Sequence, residues 1–273
     1  MKKLLFIFCL ITNISFAQEE LGWNPTSSLW KTQGSGKESL KFMTALNIFT
    51  QTEVNDGNIA LLDRLWILAT DIQSDALISI INPTSTQITE VSSPAWTMNV
   101  GYTGNGSSSY LNTNYNAYSQ GVNYTLNNAS YGIYVSAGTA ANNNVEMGIN
   151  SGVVPFPQSQ LYSDYTGGTM YASVNSDGGA SEISSAVATP VGLNYAYRTV
   201  NTTSGIGKNG ASLATGSSSS DDILSLNWFV FAYNFNGTPL NFSNRTIGMA
   251  FIGSGNINQL KFYNAFITFL SAI

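Results

Sequence analysis

The sequence predicts a mainly β chain: an antiparallel two-sheet sandwich preceded by a small α/β cap and closed by a C-terminal helix. Three observations carry this. Between Trp96 and Ile252, short apolar runs recur between Gly, Asn and Ser turns with no helical pattern among them. In residues 121–136, GVNYTLNNASYGIYVS, Val122, Tyr124 and Leu126 alternate on one arm and Tyr131, Ile133 and Val135 on the other, across an Asn127-Asn128 turn that reads as a hairpin. Helical spacing of apolar residues is confined to the flanks of this region. Each strand is too narrow in its apolar face to be stable alone, so the strands must stack as two sheets over one core.

Residues 1–17 read as an export signal. Lys2 and Lys3 form a basic start, residues 4–14 a short apolar core, and Ser15-Phe16-Ala17 places small residues at the positions a signal peptidase needs, leaving Gln18 as the mature terminus. Cys9 follows Phe8, where a lipoprotein signal needs a small residue, so the expectation is a secreted or cell-surface chain without a lipid anchor. No stretch approaches the roughly 20 apolar residues of a membrane span. Beyond Cys9 there is no cysteine, which excludes a disulfide framework and a thiolate nucleophile. Stability must come from burial, which a mature chain of about 250 residues can supply in one or two domains. Such a cysteine-free exported chain suits a bacterium or its phage better than a eukaryotic secretory route.

Residues 18–38 read as a flexible leader, from Asn24-Pro25, two serines and Gly34-Ser35-Gly36, with Trp23 and Trp30 pinning it to a surface. From an N-cap at Ser39, Phe42, Met43, Leu46 and Phe49 share one helical face and Lys41, Thr44, Asn47 and Gln51 the other. Residues 65–69, LWILA, form a continuous apolar run expected of a strand buried on both faces. A second helix is expected from Ser74, with Ala76, Leu77, Ile80 and Ile81 inward, ending at Asn82-Pro83. Residues 39–92 therefore make a helix-strand-helix subdomain leaning on a sandwich that occupies residues 93–273. Its strands are expected at 96–102, 109–113, the hairpin, 145–149, 170–174, 194–200, 226–233 and 245–252, with a narrow turn-rich segment at 205–212 and a serine-rich loop at 216–222. The closing helix carries Ile257, Leu260, Phe262, Phe266, Phe269 and Leu270 on an apolar surface and Lys261, Asn264, Thr268 and Ser271 on a polar stripe.

Several motifs resemble a known module. They are residues 62–70 (LDRLWILAT), Ser93-Pro94-Ala95-Trp96, residues 101–106 (GYTGNG), residues 109–113 (SYLNT), Lys208-Asn209-Gly210 and residues 245–253 (RTIGMAFIG). In this order they are similar to a concanavalin A-like, laminin G-like jelly roll found in phage tail and virion-associated proteins, over residues 39–273. The resemblance implies a sandwich used for surface or glycan attachment, in a family mostly without an assigned activity. The export signal departs from the usual phage tail pattern and leaves open whether a virion or a bacterial host carries this chain.

Charged residues make up only 9% of the chain and the formal net charge is −5, which argues against a nucleic-acid partner. A surface of neutral amides, hydroxyls and tyrosines suits glycans or tightly packed assemblies. The absence of histidine excludes a Ser-His-Asp triad, a histidine-bound zinc and a histidine base. Retaining glucanases place a pair of carboxylates about 5 Å apart. The sandwich has only Glu146, Asp164, Asp177, Glu182, Asp221 and Asp222, none at that strand spacing, so a hydrolytic pair would have to come from distant strands, such as Glu146 with Glu182. No cofactor is expected; calcium at Asp164, Asp177 or Asp221-Asp222 stays an open alternative, although none has the dense oxygen spacing of a dedicated loop.

The expectation is a non-catalytic, lectin-like attachment module for a glycan or another cell-surface component. The alternatives are a structural virion or fibre component and a glycoside hydrolase of the same fold; homo-oligomerisation stays open. The expected ligand-binding set is Tyr195 and Tyr197 on one face of a strand, Arg198 on the other, and Trp228 with Asn234 on a later strand, with Tyr162, Tyr165 and Tyr171 as further candidates.

Overall fold

The computed structural model describes residues 23–138, 144–165, 167–179 and 181–273. Two helices lead, α1 (Pro25–Gln33) and α2 (Leu40–Asn55). Strands β1 (Leu62–Ile67), β2 (Thr89–Val91), β3 (Ala95–Thr97), β4 (Gly101–Thr103) and β5 (Tyr110–Asn116) follow, then the single turn α3 (Ala117–Gln120). Next come β6 (Ala129–Ala137), β7 (Met147–Asn150), β8 (Pro157–Tyr162), β9 (Thr169–Asp177), β10 (Ile183–Ala186), β11 (Gly192–Val200), β12 (Thr203–Lys208) and β13 (Ala211–Gly216). The chain ends with β14 (Asn227–Val230), β15 (Tyr233–Phe235), β16 (Thr238–Leu240), β17 (Thr246–Gly253) and α4 (Gln259–Ala272).

These strands build an antiparallel jelly-roll sandwich. The first sheet runs β13-β12-β11-β6-β17-β4-β3, with β1 also paired to β17; the second runs β10-β9-β8-β7-β14-β5-β2, with the β15–β16 hairpin laid parallel beside β7. Alternation along the first sheet feeds two cores. Trp66 of β1, Ile133 and Val135 of β6, and Ile247, Ala250 and Ile252 of β17 point into the space between the sheets. Leu65 and Ile67, Leu193 and Tyr195, and Met249 and Phe251 point the other way, onto Phe42, Leu46 and Phe49 of α2 and Phe262, Phe266 and Phe269 of α4. The helices thus cover the outer face of the first sheet. The second sheet sends Leu111, Met147, Leu161, Met170, Ala172, Trp228 and Val230 to the shared core. Among the described residues no helix lies on its outer face, and none is long and apolar enough to cross a membrane.

Several local expectations change. The first arm of the expected hairpin is not a strand: the Asp63 carboxylate accepts from the amides of Val122, Asn123 and Tyr124 at 2.8–3.2 Å and from the Tyr115 hydroxyl at 2.8 Å, wrapping residues 122–124 around a buried anion. Val122 consequently points to solvent while Tyr124 is buried. Within the span expected to be a flexible leader, Asn24-Pro25 is a helix start: Asn24 caps the Thr26 and Ser27 amides with Pro25 in the first turn, and Trp30 is buried with its indole donating to the Ile78 carbonyl. The second cap helix is only a 3-10 turn over Gln73–Leu77, because the chain then runs extended and Ile80 donates to the Leu65 carbonyl. The run 96–102 is split into β3 and β4 by the turn at Asn99, and 226–233 into β14 and β15 at Phe231, both with left-handed backbone. The turn-rich segment 205–212 is the β12–β13 hairpin, and β8 is a strand that its Pro-Gln-Ser-Gln sequence hid.

One buried group in the helical layer makes stability depend on pH. Glu53 of α2 is fully buried, its Oε2 accepts from Asn58 at 2.8 Å, and desolvation pushes its pKa from 4.5 up to about 7, with Asp56 adding to the shift and Lys261 opposing it. The folded chain therefore keeps a proton that the unfolded chain releases. This contribution is fully present below about pH 4.5 and is lost as the pH rises through 7. Glu53→Gln should leave stability near pH 4 unchanged and raise it at pH 8 by roughly 1–3 kcal/mol, read from urea unfolding at both pH values.

Candidate functional site

With one sheet covered by helices, the outer face of the second sheet is where aromatic and amide side chains meet solvent. Tyr162 and Tyr171 sit directly opposite each other across the β8–β9 ladder, each next to core residues and so facing outward. Tyr165 follows in the connecting turn, where its amide donates to the Thr169 carbonyl at 2.7 Å. Its ring meets Tyr162 at 5.4 Å and Tyr171 at 5.3 Å between centroids, both edge to face. Glu182, just before β10, completes a cleft of about 320 Å³ lined by these four residues.

Polar partners converge beneath the rings. The Tyr162 hydroxyl donates to Gln160 Oε1 at 2.9 Å. Asn150 donates to Gln158 at 2.6 Å, and Gln158 in turn donates to Glu182 Oε1 at 3.3 Å. Burial raises the Glu182 pKa, opposed by the bond from Gln158, and burial with the nearby Glu182 charge holds the Tyr162 hydroxyl protonated well above the usual tyrosine range. The same outer face continues through Phe229 and Tyr110, whose ring centroids are 4.5 Å apart, and Phe229 is itself buried beneath its neighbours.

A buried ion pair anchors the turn that carries Tyr165. Glu146 and Arg245 are both without solvent exposure, with Arg245 Nε 3.1 Å from Glu146 Oε1. Glu146 Oε2 accepts from the Ser163 amide at 2.6 Å, and Arg245 Nη2 donates to the Asp164 carbonyl at 3.2 Å. Desolvation raises the Glu146 pKa while Arg245 and the Ser163 amide pull it back.

The ligand-binding set expected from sequence is not brought together. Tyr195 is buried against the helical layer, and Tyr197 is half-buried beside it with its hydroxyl 3.2 Å from Ser212 Oγ. Arg198 lies inside, its Nε donating to the Val174 carbonyl at 2.9 Å and its Nη1 to the carbonyls of Ser218 and Asn201. Trp228 fills the shared core between Tyr124 and Tyr131 at 5.6 and 4.7 Å, because strand parity turns Phe229 outward instead. Asn234 shapes the β15–β16 turn, donating to Asn227 and accepting from the Gly237 amide. The three tyrosines named as further candidates are the ones that assemble; Glu182, weighed from the sequence only as an acid that could pair with Glu146 from a distant strand, enters with them. Of the calcium candidates, Asp177 and Asp221 line another cleft and are exposed, Asp164 is buried, and no group of three metal-ligating side chains occurs among the described residues.

No protein-family profile matches the chain, and no curated protein sequence matches it. Solved structures do. A sialidase of Trypanosoma rangeli in complex with sialic acid is 10% identical over 83% of this chain, with a TM-score of 0.51, and this chain spans 39% of that one. Domain 4 of AbnA, an extracellular arabinanase from Geobacillus stearothermophilus, in complex with arabinotriose, is 11% identical over 75% of this chain and 98% of its own, at a TM-score of 0.47. The CBM40 of a Ruminococcus gnavus sialidase is 14% identical over 48% of this chain and 78% of its own, at a TM-score of 0.38. At these identities the likeness is one of fold.

Removing one member of the buried pair leaves the other uncompensated. Glu146→Ala should lower the unfolding free energy by about 3–5 kcal/mol, and the double change Glu146→Leu with Arg245→Met should recover most of that loss, measured by urea unfolding.

Proposed function

We propose that the chain is a non-catalytic, exported attachment module that holds a glycan or another cell-surface component on the outer face of its second sheet. The observation that carries this reading is the asymmetry of the sandwich: helices pack on one outer face over β1, β11 and β17, and the other presents Tyr162, Tyr165 and Tyr171 beside Glu182 over a network of buried amides. Sugars have apolar C–H faces and hydroxyl edges, so tyrosine rings beside amide and carboxylate partners suit them on both counts.

The non-catalytic part rests on the acids. Among the described residues Glu182 is the one carboxylate lining the cleft, and Glu146 is buried on Arg245. Most glycosidases use two carboxyl groups flanking the bond they break, and this cleft does not offer that pair. Export rests on the character of residues 1–17, and a place in a phage adhesion apparatus rests on the motif resemblance.

The test is binding of the purified mature chain to a broad glycan array and to bacterial surfaces. At least one glycan or surface should be bound, and Tyr171→Ala should weaken that binding about tenfold or more while the thermal unfolding profile stays cooperative. Binding that survives the substitution unchanged would remove the cleft from the reading.

A further inference from the structure

The charge inventory narrows the ligand. Only four Lys or Arg residues lie beyond residue 92, and none is among the described residues that line the tyrosine cleft, although Arg245 reaches the Asp164 carbonyl beneath the turn that carries Tyr165. Arg198 is buried on the Val174 and Ser218 carbonyls, and Arg245 on Glu146. Lys208 donates to the Pro190 carbonyl at 3.1 Å and to Asn194 Oδ1 at 2.9 Å, and Lys261 sits 2.6 Å from Asp56 in the helical layer. Of the cations nearer the N-terminus, Lys31 lies over the Trp23 ring, Lys41 donates to the Ile273 carbonyl and Arg64 lies over Tyr115. Among the described residues the cleft itself is lined by three phenols and one carboxylate.

We infer that this cleft takes uncharged sugars and rejects carboxylated ones such as sialic and uronic acids. The inference rests on the attachment reading above and adds the ligand class. A sugar carboxylate leaving water needs a cation or several N–H donors to replace its hydration. Here it would meet the Glu182 carboxylate in a partly desolvated site, where like charges repel far more than in bulk water. An uncharged sugar meets no such opposition. Its C–H face lies on a tyrosine ring, and its hydroxyls donate to Glu182, a charged acceptor and so a strong one.

The experiment is titration calorimetry of the mature chain with oligosaccharides of arabinan, galactan, xylan and dextran, set against 3′-sialyllactose and polygalacturonate fragments. At least one neutral ligand should bind about tenfold or more tighter than either acidic one. Its affinity should not change between about 50 and about 500 mM NaCl, as expected where no ion pair forms. Glu182→Gln should narrow the gap between neutral and acidic ligands, and Tyr165→Ala or Tyr171→Ala should abolish the neutral binding. An acidic ligand that binds as tightly as the neutral ones, and is lost in the tyrosine variants, would overturn the inference and leave the attachment reading standing. Neutral binding that survives both tyrosine changes would overturn it too. Binding of no glycan, charged or not, would defeat the attachment reading and this inference with it.

Discussion

Strand β17 must be buried on both faces, and the architecture follows from that requirement. Its eight residues, TIGMAFIG, include Ile247, Ala250 and Ile252 toward the second sheet and Met249 and Phe251 toward the helices. It pairs with β6 on one edge and with β1 and β4 on the other, so its backbone is satisfied while its side chains need an apolar partner on each side. The helices α2 and α4 supply that partner on the outer side through Phe42, Phe49, Phe262, Phe266 and Phe269, whose rings meet at 5.7–6.1 Å. The cap is therefore built into the sandwich, since its strand β1 is hydrogen-bonded to β17. The second sheet has no comparable demand. Its outer residues, Tyr162, Tyr171, Gln158 and Gln160, alternate with core residues and are free to be polar.

The cleft draws its order from buried polar groups beneath it. Glu146 precedes β7 and Arg245 precedes β17, so their ion pair crosses from one sheet to the other and reaches the Ser163-Asp164 backbone just before Tyr165. A pair of this kind is costly to desolvate, and its value lies in how many partners it fixes at once. Asp63 plays the same part for residues 122–124, where one carboxylate takes the place of strand pairing. In a chain so poor in charge, several of the ions are structural.

Much of the fold was legible because burial imposes a period. The face of α2 read from Phe42, Met43, Leu46 and Phe49, the run inside β1, and the Phe262, Phe266 and Phe269 stripe of α4 all lie where their spacing puts them. What misled were positions where the period is silent. Asn24-Pro25 has the composition of a turn and the chemistry of a helix start. Residues 122–126 alternate as a strand would, but no local pattern reveals that Asp63, some 60 residues earlier, claims their amides. The site suffered from parity. In Asn227-Trp228-Phe229-Val230 three consecutive apolar residues hide which of Trp228 and Phe229 faces the core, and it is the larger ring that does. Tyr195 and Tyr197 do share a face, but it is the face the helices cover.

The C-terminal end of α4 lies in the helical layer, with the Ile273 carbonyl held 2.8 Å from the Lys41 ammonium. That layer and the tyrosine cleft are on opposite outer faces of the sandwich. A molecule tethered to a larger body through its helices would consequently display the aromatic face away from its support, with both sheets acting as a spacer and no rearrangement needed to expose it.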